Sequence, residues 1–135
     1  MIIMSVDLGK ARTGIAVSDP SGQFAFPKEV ITEYRTDRLV QRVCEKAKEF
    51  CAERIVVGYP KNMDGTLGER AQECAAIAEQ INATCGIDTV LWDERCTTVT
   101  AHNYLSMNNV RGKKRKQTVD AVAAVIILED YLRSL

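Results

Sequence analysis

The chain has 135 residues, 46% of them hydrophobic and 27% charged, with 18 basic side chains balancing 18 acidic ones. That length can bury a proper core without staples and predicts one domain over 1–135. Zero net charge argues against a protein that coats nucleic acid through bulk charge, while a local basic patch stays open. The opening MIIMSVDLGK has no basic leader, and no apolar run approaches the ~20 residues that span a bilayer, so a cytoplasmic protein without membrane contact is expected. The five cysteines (Cys44, Cys51, Cys74, Cys85, Cys96) never stand as C-x-x-C, which reads as free or buried thiols in a reducing compartment. His102 is the only histidine and speaks against zinc.

Residues 2–8, IIMSVDL, alternate loosely and predict a strand. TGIAVSD (13–19) and AFPKEVIT (25–32) follow after short turns, the second turn holding Pro20 and Gly22, and suggest an antiparallel meander. In 36–51, Leu39, Val40, Val43, Ala47 and Phe50 recur at helical spacing between charges. RIVVGYP (54–60) reads as a short buried strand and NMDGTLG as a loop, with a helix over 68–83. IDTVLWDER (87–95) predicts a strand ending in acids, with Trp92 as a packing residue. A helix over 97–107 is expected with Thr97 or Thr98 as its cap, carrying His102 on its surface. NNVRGKKRK reads as a loop before a last helix over 118–134, capped by Thr118. Three strands followed by alternating helices and strands describe an α/β domain with a mixed, five-stranded central sheet flanked by helices.

Ligands in such sheets collect at the carboxyl ends of parallel strands. Asp7 and the Asp93–Glu94 pair fall at predicted strand ends, and Asp120 near the start of the last helix. Asp120 sits beside Ala123 and Ala124, small residues that would let this helix approach the sheet closely. Carboxylates gathered in this way suit hard cations such as Mg²⁺ or Mn²⁺, which take oxygen ligands together with substrate phosphates. Plain alternatives stand beside each acid. Asp7 before its glycine turn could simply start that turn, and Asp93 and Glu94 could be a solvated strand end paired with Arg95. Asp120 could answer the helix dipole.

The cations divide in the same way. RGKKRK (111–116) puts five of them in six residues, either as a phosphate-binding strip including Lys113, Lys114, Arg115 and Lys116 or as a solvated loop. The glycine-bounded segment 58–70 opens a helix whose amides could hold a phosphate, with Lys61 and Arg70 near, or is a plain connection. Lys10 and Arg12 lie between Gly9 and Gly14, close to Asp7.

Four stretches together look familiar. DLGKARTGIAVSD resembles the D-x-G-x-x-R-x-G-x-A-x-S-D opening of the YqgF/RuvX family. Gly58, Pro60, Gly65 and Gly68 match its G-x-P-x-x-x-x-G-x-x-G loop. DERCTT matches its D-E-R-x-x-T segment, and RKQTVDAVAAVIIL its R-K-x-x-x-D-x-x-A-A-x-x-I-L segment. The matches keep the family's order over nearly the whole chain. The resemblance implies an RNase H-like fold related to the resolvase RuvC, and a metal-dependent nuclease maturing the 5′ end of the small-subunit (16S) ribosomal RNA precursor. Carried over by position, Asp7, Glu94 and Asp120 are its metal-binding catalytic acids, with Mg²⁺ or Mn²⁺ as cofactor. Lys10, Arg12, Lys61, Arg70, Arg95 and Lys113–Lys116 are candidate nucleic-acid contacts. Nucleic acid is the expected partner, RNA before a DNA junction, with a pre-ribosomal particle behind it and a monomer or homodimer as the assembly. A resolvase of branched DNA and a non-catalytic RNA- or ribosome-binding protein are the alternatives.

Overall fold

The structure, a computed structural model, describes residues 1–9, 11–59, 68–93 and 112–135, and the side chains of all of these except 112–121. The expected helix over 97–107 lies outside the described residues.

The meander forms as the alternation predicts. Strands β1 (Ile3–Leu8), β2 (Arg12–Ser18) and β3 (Ala25–Thr32) run antiparallel to one another. Helix α1 (Thr36–Glu49) then returns the chain to β4 (Arg54–Tyr59), which joins β1 in parallel. Helix α2 (Glu69–Cys85) leads in turn to β5 (Asp88–Asp93), parallel to β4. The order is β3-β2-β1-β4-β5, a five-stranded mixed sheet with β1 at its centre. Helix α2 stops at Gly86, whose φ of 71° gives the left-handed cap and lets its N–H reach the Asn82 carbonyl at 2.9 Å.

Each face of the sheet has its own core, because side chains alternate along every strand. Met4, Val6 and Leu8 of β1 join Ile15, Val17, Ile55 and Val57 in a cluster closed by Leu39, Val43 and Ala47 of α1 and Cys74, Ile77 and Ile81 of α2. On the other face Ile3, Ala16 and Val56 meet Ala124, Ile127, Leu128 and Tyr131 of α3 (Gly112–Arg133). Trp92 packs on this second cluster as expected. Its ring meets Tyr131 edge to face at 5.4 Å, and its indole N–H donates to Asp130 at 3.0 Å. No helix among the described residues is long and apolar enough to cross a membrane.

One boundary differs from the sequence reading. Helix α3 begins at Gly112, so the basic run 113–116 is helical rather than a loop, and Thr118 is an interior residue rather than a cap. Lys, Arg and Gln are good helix formers, and a charge run marks a loop only when no apolar stripe follows it in register.

The turn between β2 and β3 is organised by Asp19. Its carboxylate accepts the Ser21 hydroxyl and the N–H groups of Gln23 (2.9 Å) and Phe24 (3.1 Å). These bonds, that of Ser21 foremost, favour the charged form and lower its pKa from 3.8 to about 2. A depressed carboxylate stabilises the fold above its unfolded pKa and loses that contribution as pH falls through the folded one. Urea midpoints of wild type and Asp19→Asn should therefore differ by a constant amount down to about pH 4, and the gap should narrow towards pH 2. Equal midpoints at pH 6 would remove this role.

Candidate active site

Asp7 is the last residue but one of the central strand and is half-buried. Alternation puts it with Ile3 and Ser5 on the α3 face, away from the cluster of Met4, Val6 and Leu8. Its register partners are Gly14 on β2 and Gly58 on β4. Paired residues project from the same face, so neither neighbouring strand sets a side chain beside the carboxylate at its own level. Trp92 follows Gly58 in the same row, as the partner on β5.

The next position on β5 is Asp93. Asp93 pairs with Tyr59 and alternates with Trp92, so it lies on the opposite face of the sheet from Asp7. Glu94 lies outside the described residues, as do Lys10, Lys61 and Arg95.

Helix α3 supplies the third position through its register on β1. The Ser5 hydroxyl donates to the Ala124 carbonyl at 2.6 Å, and Ile3 clusters with Ile127 and Leu128. Further down, Arg54, the partner of Ile3 on β4, donates to the Tyr131 hydroxyl at 2.8 Å. Rising residue numbers on β1 thus meet falling numbers on α3. Asp120 stands one turn before Ala124 on the same helix face, an advance of about 6 Å, and Asp7 stands two residues beyond Ser5, about 6.6 Å. The backbones therefore bring residues 7 and 120 to the same level at the carboxyl end of the central strand. Lys113, Lys114, Arg115 and Lys116 occupy the turns of α3 that precede it.

Two candidate phosphate contacts are described with their side chains. Arg12 opens β2 and is half-buried beside the turn that follows Asp7. Arg70 is committed to protein acceptors: Nη2 donates to the Leu8 carbonyl at 2.7 Å, and Nη1 pairs with Glu73 at 2.9 Å. Sequence reasoning treated Arg70 as a cation near a helix start, and it offers no local sign of a carbonyl 62 residues away. The Ser18–Asp19 end of the opening motif serves the backbone. Ser18 Oγ accepts the Ile3 N–H at 2.8 Å, and Asp19 ties the turn described above.

The Asp7 carboxylate offers oxygen donors, in a row cleared by two glycines, and this chemistry fits a hard divalent cation. Among the described residues no three His, Cys, Asp or Glu side chains group closely enough to hold one. Glu94 and the Asp120 side chain lie outside that set.

The sheet order, with one long helix crossing its central strand, defines an RNase H-like fold. RuvC of Thermus thermophilus, solved in complex with a Holliday junction substrate, superposes with a TM-score of 0.63 at 15% identity, covering 99% of this chain and 96% of that one. The fowlpox virus Holliday junction resolvase gives 0.61 at 12% identity, covering both chains fully at 100%. In sequence, residues 1–134 match the family model described as "RuvX: Holliday junction resolvase". A protein of Lachnospira eligens named "Putative pre-16S rRNA nuclease" is 42% identical over 137 aligned positions, covering 99% of this chain and 98% of its own. The chain belongs to the RuvX family.

Proposed function

We propose that this protein is a divalent-metal-dependent nuclease that hydrolyses phosphodiester bonds in RNA, acting on the 5′ end of the 16S ribosomal RNA precursor in the cytoplasm. One observation carries the site: Asp7 lies between Gly14 and Gly58 on the central strand, two residues beyond Ser5, whose bond to Ala124 sets the register from which residue 120 is inferred to lie near its level. The substrate follows from the relatives' name.

Asp7, Glu94 and Asp120 are the residues that would hold Mg²⁺ or Mn²⁺. When bound, the cation supplies positive charge to the phosphate oxygens and makes a water acidic enough to act as nucleophile near neutral pH. The chain's own part is placement. Gly14 and Gly58 leave the space in which a phosphate can come against Asp7. Arg12, Lys10, Lys61 and Arg95 are the proposed contacts to the reacting phosphate and Lys113–Lys116 to the strand beyond it, where each neutralised phosphate adds to a steep salt dependence. Hydrolysis adds water across one P–O bond. The hydroxyl goes to phosphorus and the proton to the departing sugar oxygen.

The RuvC and fowlpox likenesses, together with the family's description, favour a second reading, resolution of branched DNA. That reaction needs two symmetric sites and hence a dimer. The deciding experiment incubates the protein with a labelled precursor-rRNA fragment and a four-way DNA junction, each with Mg²⁺, Mn²⁺ or chelator. Cutting of the RNA alone, lost with chelator, is expected. Symmetric cutting of the junction would move the assignment to the resolvase, and metal-independent binding without cutting would leave a non-catalytic RNA-binding protein.

A further inference from the structure

The strand carrying Asp7 ends in a turn that is held from three directions. A Cβ at Gly9 would stand 2.2 Å from the Arg12 carbonyl oxygen, so only glycine lets the chain close there. On the far side, the Ala11 carbonyl accepts the Glu33 N–H at 2.9 Å and is tied to the end of β3. On the near side, the Leu8 carbonyl accepts Arg70 Nη2 at 2.7 Å. The other arm of that guanidinium is fixed by Glu73 at 2.9 Å, three residues further along α2. Leu8 directly follows Asp7, and Arg70 is the second residue of α2.

We infer that Arg70 is a positioning residue for Asp7: it spans from α2 to the end of β1 and holds the catalytic strand end in place, rather than gripping the substrate. Its consequence for cleavage rests on the nuclease reading, but its geometry does not. A lysine cannot do the same work, since its single ammonium cannot satisfy Leu8 and Glu73 in the fixed fork that a guanidinium provides. The demand for such a brace is chemical. A ligand to a small, octahedral cation has to stay within about 0.5 Å of its working position, and a strand end beside an open turn does not do so unaided. The brace also joins the start of α2 to the strand that carries the acid.

Arg70→Ala, Arg70→Lys and Glu73→Gln, compared with wild type, test this in three ways. In the metal-free protein, amide hydrogen exchange at Gly9, Ala11 and Arg12 should speed up at least about tenfold in Arg70→Ala, with β3 and α1 unchanged. Titration with Mn²⁺ alone should show a dissociation constant raised about 5- to 10-fold, the range for residues that orient metal ligands. In cleavage, kcat should fall while KM stays within about twofold of wild type. Arg70→Lys should recover part of the Mn²⁺ affinity, and Glu73→Gln should keep near wild-type exchange, because it leaves the bond to Leu8 intact. Wild-type exchange and Mn²⁺ affinity in Arg70→Ala, with a raised KM and a shallower salt dependence, would overturn the inference in favour of a phosphate contact. Faster exchange spread evenly over the sheet would overturn it as well, leaving only a general stabilising role. If wild type binds Mn²⁺ but cuts neither RNA nor junction, the nuclease reading fails, while exchange and Mn²⁺ affinity still decide the brace.

Discussion

Asp7→Asn should reduce metal-dependent cleavage at least ~10³-fold, about 4 kcal/mol of transition-state stabilisation, without unfolding the protein. Asparagine keeps the shape and one oxygen of the side chain but removes the negative charge that, in the proposed site, would draw a cation to a half-buried position between two glycines. Asparagine is nearly isosteric with aspartate, so the metal-free melting temperature should change little. The two states separate when Mn²⁺ is added. A cation that binds only the folded protein stabilises it by about 2.7 kcal/mol at a hundredfold excess over its dissociation constant. Wild type should therefore melt higher with Mn²⁺, and Asp7→Asn should not. Loss of cleavage together with a large drop in the metal-free melting temperature would instead make Asp7 a structural acid. Retained cleavage would remove it from the site.

The sheet was legible in the sequence because its signals are local. Loose alternation in 2–8, and Pro20 and Gly22 in the turn between 13–19 and 25–32, suggest a meander, and the short apolar run at 54–60 reads as a buried strand. The acid at the end of β1 could also be suspected, because strand ends collect ligands. The surroundings of that acid could not be read in this way. Gly14 and Gly58 lie 44 residues apart in the chain and become neighbours of Asp7 only through the register of two different strand pairs. The Arg70–Leu8 bond is hidden for the same reason.

The start of α3 was misread because two local cues competed. Thr118 is the kind of residue that caps helices, and a cationic run looks like a solvated loop. Packing of the stripe Ala124, Ile127, Leu128 and Tyr131 on the sheet supports a helix long enough to include the cations. The correction bears on function. With the helix starting at Gly112, Asp120 is its ninth residue and lies beyond the first turn, where the dipole favours an acid. The helix dipole therefore does not explain an acid at position 120.

The level of residue 120 against Asp7 depends on how closely α3 approaches β1, which makes Ala124 the second position of large effect. Ala124 is fully buried, and its carbonyl is near enough to the sheet for the Ser5 side chain to reach it directly at 2.6 Å. A serine hydroxyl extends only one atom beyond Cβ, so helix and strand are separated here by little more than their own backbones. The flanking Ile3, Val56, Ile127 and Leu128 are also buried and cannot give way towards solvent. Ala124→Leu must force the helix outwards. Overpacking costs about 1–3 kcal/mol, and loss of the Ser5 bond adds about 1 kcal/mol. At about 4 °C per kcal/mol for a chain of this size, the melting temperature should fall by ~8–16 °C. Ser5→Ala is the control, because it removes the hydrogen bond but leaves the spacing unchanged. It should lose about 1 kcal/mol and keep cleavage near that of wild type. In Ala124→Leu, assayed well below its own melting temperature, cleavage should fall by more than tenfold and Mn²⁺ should bind more weakly, since an outward shift of the helix carries Asp120 away from Asp7. If Ala124→Leu loses the predicted stability but cleaves like wild type, then the position of α3 does not set the metal site, and Asp120 is not one of its ligands.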